Sequence, residues 1–190
     1  MGTQKDEMKH NLQKLICTYY LHFCYLKKLM EVFDQLQIIN LEKPAKAPDF
    51  VKLSVGVYYD SIMIAFARLY DSDKSARTIF DLLNKGKTNI SLFKQSEQVA
   101  SKIEFYLDSL IKGELSETIA IIRTRRDKLF AHNDKCYFGK YKKITQELPM
   151  YRLWELRDFT ENIIEFFMDL YECSVTVTMQ SIDLKDLFDI

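Results

Sequence analysis

The chain is poor in residues that interrupt helices. Its 190 residues include five glycines and three prolines, and long stretches hold neither, so frequent turns are excluded. Charge of one sign is also missing. Lys and Arg number 27, Asp and Glu 27, so the molecule as a whole does not attract nucleic acid, and any such site must be a local basic patch. There is no glycine-rich phosphate loop, which argues against an NTPase, and no HExxH or paired His/carboxylate spacing, which argues against a metal enzyme. The four cysteines, Cys17, Cys24, Cys136 and Cys173, form no CxxC, so a zinc knuckle and a thioredoxin-type motif are excluded. Cys17 and Cys24 share a helical face near His22, where a metal is conceivable; they read better as thiols in a reducing compartment. No metal or other cofactor is expected.

Long hydrophobic runs are lacking too. The longest fall short of the roughly 20 apolar residues that span a bilayer. Residues Met1 to Asp6 are polar, without a signal-peptide core, and Asp6 breaks the myristoylation pattern. The expectation is a soluble, cytoplasmic protein with no membrane partner. Length and an ordinary apolar fraction fit one domain with a substantial core.

What is present is helical periodicity. Leu12, Leu15, Ile16, Tyr19, Phe23, Leu26, Met30, Phe33 and Leu36 recur at helical spacing within a first helix from about Lys5 to Ile39. Pro44 and Pro48 mark a connection. A second helix, from about Asp49 to Tyr70, is nearly apolar all round at Ser61–Ala67, as for a helix in the middle of a bundle. Asp71, Ser72 and Asp73 offer capping oxygens for a short helix from about Ser75 to Leu83, with Gly86 in the next loop. A fourth helix runs from about Ser91 to Ile111, with Gly113 as its terminal glycine. A fifth begins at Glu114–Ser116, and the last long one spans about Met150 to Tyr171. The alternating Ser174–Thr178 suits a short strand. The reading is an all-α up-and-down bundle of about five main helices.

One segment carries chemistry: Arg123-Thr124-Arg125-Arg126-Asp127-Lys128-Leu129-Phe130-Ala131-His132-Asn133-Asp134. Arginine offers phosphate a planar, permanently charged fork of donors, and histidine moves protons near neutral pH. Together they suit cutting a phosphodiester. Ile119, Ile122, Arg126, Leu129 and Phe130 share a stripe, so Arg126 interrupts an apolar face and needs a partner or a cleft. Arg126 and His132 lie on different faces of an unbroken helix, and converge only if the helix kinks or ends near Ala131. Downstream, Lys135, Lys140, Lys142 and Lys143 interleave with Tyr137, Phe138 and Tyr141. Such lysines track phosphates while the rings stack on unpaired bases. The bland alternatives are an Arg126 ion pair with a neighbouring helix, a solvated basic face, and an intrahelical Arg68–Asp71 pair.

The segment resembles the signature of the HEPN superfamily: an arginine, four to six residues, then a histidine, often with Asn, Asp or His after the arginine. Arg126 to His132 fits with Asp127 in the polar position. Arg125 to His132 also fits, but places Arg126 there, so Arg126 is preferred. Ala131-His132-Asn133-Asp134 and Ala67-Arg68-Leu69-Tyr70-Asp71 are similar to two pieces of the AbiU-like, abortive-infection branch, with Arg68, Asp71, Asn133 and Asp134 as supporting residues. The resemblance implies a single HEPN-like domain over residues 1–190, with about 1–5 and 180–190 peripheral. It implies a metal-independent endoribonuclease of phage defence or a toxin–antitoxin system, acting as a homodimer. His132 would be general acid or base, Arg126 the phosphate holder and Asp127 the orienting group. Arg125, Lys135, Lys140, Lys142, Lys143, Tyr137 and Tyr141 would contact RNA. An antitoxin or nucleotidyltransferase is a further expected partner. The competing reading is a non-catalytic helical module that binds a partner protein or nucleotide.

Overall fold

The computed structural model describes residues 2–42, 48–71, 73, 76–93, 95–131 and 148–173. Among the described residues six α-helices follow one another: α1 (Gly2–Glu42), α2 (Pro48–Leu69), α3 (Ile79–Thr88), α4 (Ser96–Lys112), α5 (Glu114–Arg125) and α6 (Met150–Leu170). A 3-10 turn, Ile90–Leu92, precedes α4, and a π-helical turn, Arg126–Ala131, extends α5. No strand occurs among the described residues. The all-α bundle expected from the sequence is the observed fold. The proposed strand at Ser174–Thr178 lies outside the described residues.

The spine is α1, 41 residues long, or about 60 Å at 1.5 Å per residue. All nine residues of its predicted stripe are buried. Two helices run antiparallel along it. On α2, Val51 packs with Leu36 and Ile39, while Arg68 shares a cavity with Leu15 and Tyr19. On α6, Glu161 pairs with Lys27, and the Tyr171 carbonyl accepts from Gln13 (3.0 Å). The inner stripe of α6 is Leu153, Leu156, Thr160, Ile163, Ile164 and Phe167. Its one polar member, Thr160, shares a 2.7 Å hydrogen bond with the Tyr70 hydroxyl and meets the Leu156 carbonyl at 2.6 Å. Both hydroxyls are thereby satisfied inside the core.

Several local expectations are corrected. The third helix starts at Ile79, because Thr78 caps it by accepting from the Asp81 amide (3.3 Å). Gly86 sits inside α3 and is buried; a Cβ there would lie 2.6 Å from the Phe167 ring. It is glycine for closeness, not for a turn. Gly113 joins α4 to α5 with extended backbone (φ −106°, ψ −172°) and forms no left-handed cap. Nor is α2 wrapped on all sides. Ile62, Met63, Phe66 and Ala67 are buried, but Phe50, Leu53 and Val57 are more than half exposed. Among the described residues α2 is the one helix long and apolar enough to cross a membrane by length and composition. It is not an uninterrupted apolar run, because Lys52, Asp60 and Arg68 divide it.

Candidate functional site

The Arg-rich segment is the end of α5 and the π turn that follows. Successive residues on an α-helix are about 100° apart, so Arg123 and Arg126 share a face and Arg125 points away. The structure uses that division. Arg123 and Arg126 grip the C-terminal end of α2, while Arg125 reaches back along it.

Arg123 donates from Nε to the Tyr70 carbonyl at 2.5 Å, and its guanidinium lies 5.5 Å from the Phe80 ring centre. That carbonyl closes α2 and has lost its helical partner. Burial holds the Arg123 pKa below its ordinary value, against the pull of Asp71.

Arg126 pairs with two carboxylates. Its Nε donates to Asp127 at 2.7 Å and its Nη1 donates to Asp71. The hydrogen bond to Asp127, supported by Asp71, raises its pKa despite partial burial. Its side chain keeps a quarter of its surface exposed. The other oxygen of Asp71 accepts from the Asp73 amide at 3.1 Å, a local turn bond typical of aspartate. Asp71 therefore faces Arg126 from a fixed position. The predicted Arg68–Asp71 pair does not form: Asp71 takes Arg126 across the helices, and Arg68 is exposed on a different cavity.

Arg125 is 1% exposed. Its Nη1 donates to the Tyr59 hydroxyl and lies 3.9 Å from the Met63 sulfur, with the guanidinium 5.7 Å from the Tyr59 ring centre. Its charge also acts on Asp60, whose pKa burial raises and Arg125 lowers. Arg125, expected as an RNA contact, holds its guanidinium inside the bundle.

The segment does not continue as an α-helix. Residues Arg126–Ala131 form a π turn, which is rare and frequent at functional sites. It ends at the residue before His132. The change of winding expected near Ala131 thus begins earlier, at Arg126 itself. His132, Asn133, Asp134, Lys135, Tyr137, Lys140, Tyr141, Lys142 and Lys143 lie outside the described residues, as does Cys136.

Beside this junction is a cleft of about 500 Å³, with Arg123 and Asp71 in its wall. Asp73 and Asp81 line it too, so among the described residues it holds three carboxylates and one guanidinium; Asp71 is paired with Arg126 and Asp81 with Lys85.

The sequence pattern of the AbiU2 family of HEPN domains matches residues 6–189. The chain belongs to the AbiU2 family. No curated protein and no solved structure matches it. Membership covers both arms of the junction, the end of α2 and the Arg126 turn. It brings the coarse expectation of a ribonuclease-type or abortive-infection module.

The sequence reading missed Tyr59 and the Tyr70 carbonyl, which receive Arg125 and Arg123. They lie 66 and 53 residues upstream, and no local pattern pairs them. The helical angle between the arginines was the available signal, and it fixes only that they part.

Proposed function

We propose that this AbiU2 protein is a metal-independent endoribonuclease that acts in phage defence or a toxin–antitoxin system. The observation that carries the reading is Arg126, clamped by Asp71 and Asp127 at a π turn that leads directly into His132. A cation held by two carboxylates from fixed positions is preorganised, and pays little to reorganise when charge builds on a phosphate. With Nε and Nη1 engaged, Nη2 is the donor turned to the phosphate.

In the proposed reaction His132 takes the proton of the ribose 2′-hydroxyl. The 2′-oxygen attacks the adjacent phosphorus, and the 5′-oxygen leaves with a proton. The products are a 2′,3′-cyclic phosphate and a 5′-hydroxyl. DNA is inert because it lacks the attacking group. Two motifs meet across a homodimer, and the lysine- and tyrosine-bearing segment from Lys135 to Lys143 tracks the RNA backbone. Arg126 is preferred to Arg125 because one is accessible and the other buried.

The acidic cleft and the zero net charge favour the second reading, a non-catalytic module that binds a partner such as an antitoxin or nucleotidyltransferase. One experiment separates them. Wild-type and His132→Ala protein are incubated in EDTA with total tRNA and with an unstructured RNA, and the new ends are analysed. Cleavage by wild type alone, leaving 2′,3′-cyclic phosphates, is expected. Silence from both, or equal cleavage by both, sinks the nuclease.

A further inference from the structure

The end of α6 has a backbone conformation that its sequence does not favour. Glu172 has φ 51°, in the left-handed region ordinarily left to glycine or asparagine. Its amide donates to the Asp169 carbonyl at 3.2 Å, and the Cys173 amide donates to the Met168 carbonyl at 2.9 Å. These two bonds make a Schellman turn, which reverses the chain at a helix end. Glutamate stands in the glycine position, and the turn folds Cys173 back against the core. Helix α1 receives this turn. The Tyr171 carbonyl accepts from the Gln13 side chain at 3.0 Å, and Cys17 lies one helical turn beyond Gln13 on the same face.

Cys17 and Cys173 are both half-buried free thiols. They are 156 positions apart in the sequence, yet Cys17 is a side-chain hydrogen-bond partner of Cys173. A disulfide requires two side chains that face each other at close range, and the α1–α6 clasp supplies that approach. Cys24 does not compete for Cys17. Seven residues along one helix separate them by about 10 Å, beyond the reach of a disulfide. Burial, and after it the neighbouring Cys17, hold the Cys173 thiol above its usual pKa, against the pull of Lys9. The thiolate is the reactive form, so Cys173 is slow to attack an oxidant directly.

We infer that Cys17 and Cys173 are an oxidisable pair that closes as a disulfide when the surrounding thiol pool turns oxidising, and so staples the end of α6 to α1. The oxidant is a small disulfide of the glutathione type. The Cys17 thiolate attacks one of its sulfurs, and one glutathione leaves. Cys173 then attacks the Cys17 sulfur of that mixed disulfide, and the second glutathione leaves. Two protein thiols are oxidised to one disulfide, one glutathione disulfide is reduced to two thiols, and the two protons pass to the glutathiones. Excess reduced glutathione runs the exchange backwards and opens the staple. The bond closes a loop that spans most of the chain, the case in which a cross-link restricts the unfolded state most.

The test equilibrates the reduced full chain in mixtures of reduced and oxidised glutathione, alkylates the remaining thiols and maps unreduced peptides by mass spectrometry. A Cys17–Cys173 link within one chain is expected as the oxidised form comes to dominate, with Cys24 and Cys136 still alkylated. The linked protein should melt about 10 °C above the reduced one, and reductant should reverse the shift. Cys17→Ser should lose both the link and the shift. Cys173→Ser should instead retain glutathione on Cys17, because the thiol that displaces it is missing. Alkylation of both Cys17 and Cys173 in fully oxidised glutathione overturns the proposal. So does Cys136 as the partner of either thiol, or a linked protein that melts no higher than the reduced one. Should a serine variant fail to fold, the wild-type peptide map and melts decide the matter.

Discussion

Arg125 and Arg126 are neighbours of identical chemistry, and their substitution should have opposite consequences. Arg125→Ala removes a buried guanidinium from the Tyr59 hydroxyl and from the face of the Tyr59 ring. A charge-assisted hydrogen bond contributes roughly 1.5–3 kcal/mol, and the lost cation–π contact and packing add about 1–2 kcal/mol. Relief of the buried charge offsets part of this, leaving a loss of about 3 kcal/mol. At roughly 2–4 °C per kcal/mol for a chain of this size, the melting temperature falls by about 10 °C. Arg126→Ala breaks an ion pair whose partners are 25% and 21% exposed. Its stability cost is near the surface-pair value, about 1 kcal/mol, or about 2–4 °C. The order reverses for RNA cleavage. Losing a preorganised cation costs on the order of a hundred- to a thousand-fold, so Arg126→Ala should be folded and nearly inactive. Arg125→Ala, assayed well below its melting temperature, should keep most of the activity. Calorimetric melts and initial cleavage rates on the same preparations make the test. Equal destabilisation by both substitutions would refute the division of roles, as would a stable, inactive Arg125→Ala beside an active Arg126→Ala.

Four further outcomes follow from the geometry. Asp71→Asn should lower the cleavage rate by about tenfold or more without loss of helix content, because Arg126 loses one of its two anchors; a wild-type rate would show that the clamp is idle. Gly86→Ala should lower the melting temperature despite the better helix propensity of alanine, since overpacking against Phe167 costs about 1–3 kcal/mol; a rise would mean that the ring yields. Tyr70→Phe should cost about 1 kcal/mol in urea unfolding through the lost Thr160 bond, and no change would mean that bond is energetically silent. Asp34 has its pKa raised by burial, against the pull of Arg157. A carboxyl whose folded pKa is raised supports the fold below its unfolded pKa, and loses that contribution as pH climbs through the folded value. Asp34→Asn should therefore gain up to about 1 kcal/mol at pH 7, with the gain shrinking toward pH 3. Urea melts at the two pH values decide it, and a gain that grows in acid contradicts the sign.

How much of this was legible depended on the reach of each interaction. The α1 stripe is a property of one segment at one period, and all nine residues are buried as read. Gly86 was read as a loop residue because glycine signals a turn locally. Its contact with Phe167, 81 positions away in the sequence, is what selects it. The start of α3 was misplaced for a related reason. Asp71 and Asp73 are good capping residues, but Asp71 is held in its own turn and by Arg126, and Thr78 takes the cap. Apolar content alone placed α2 at the centre of the bundle, whereas only one side of it meets α1, α5 and the core. At the site, the requirement that Arg126 be paired followed from its position on an apolar stripe. Which carboxylate met it did not, because Asp71 arrives from another helix.

The π turn bears on how the family signature can vary. A winding with i→i+5 bonds takes up one residue more per turn than the α-helix. The number of residues between the motif arginine and its histidine is then not a fixed distance. A chain that gains or loses one residue there can change its winding and keep its end points. Arg126 is fixed at the upstream end by Asp71 and Asp127, so the adjustment falls on the residues after Asp127 and leaves the clamp in place. The wide turn works as a length buffer, and a signature that admits several spacings is what such a buffer permits.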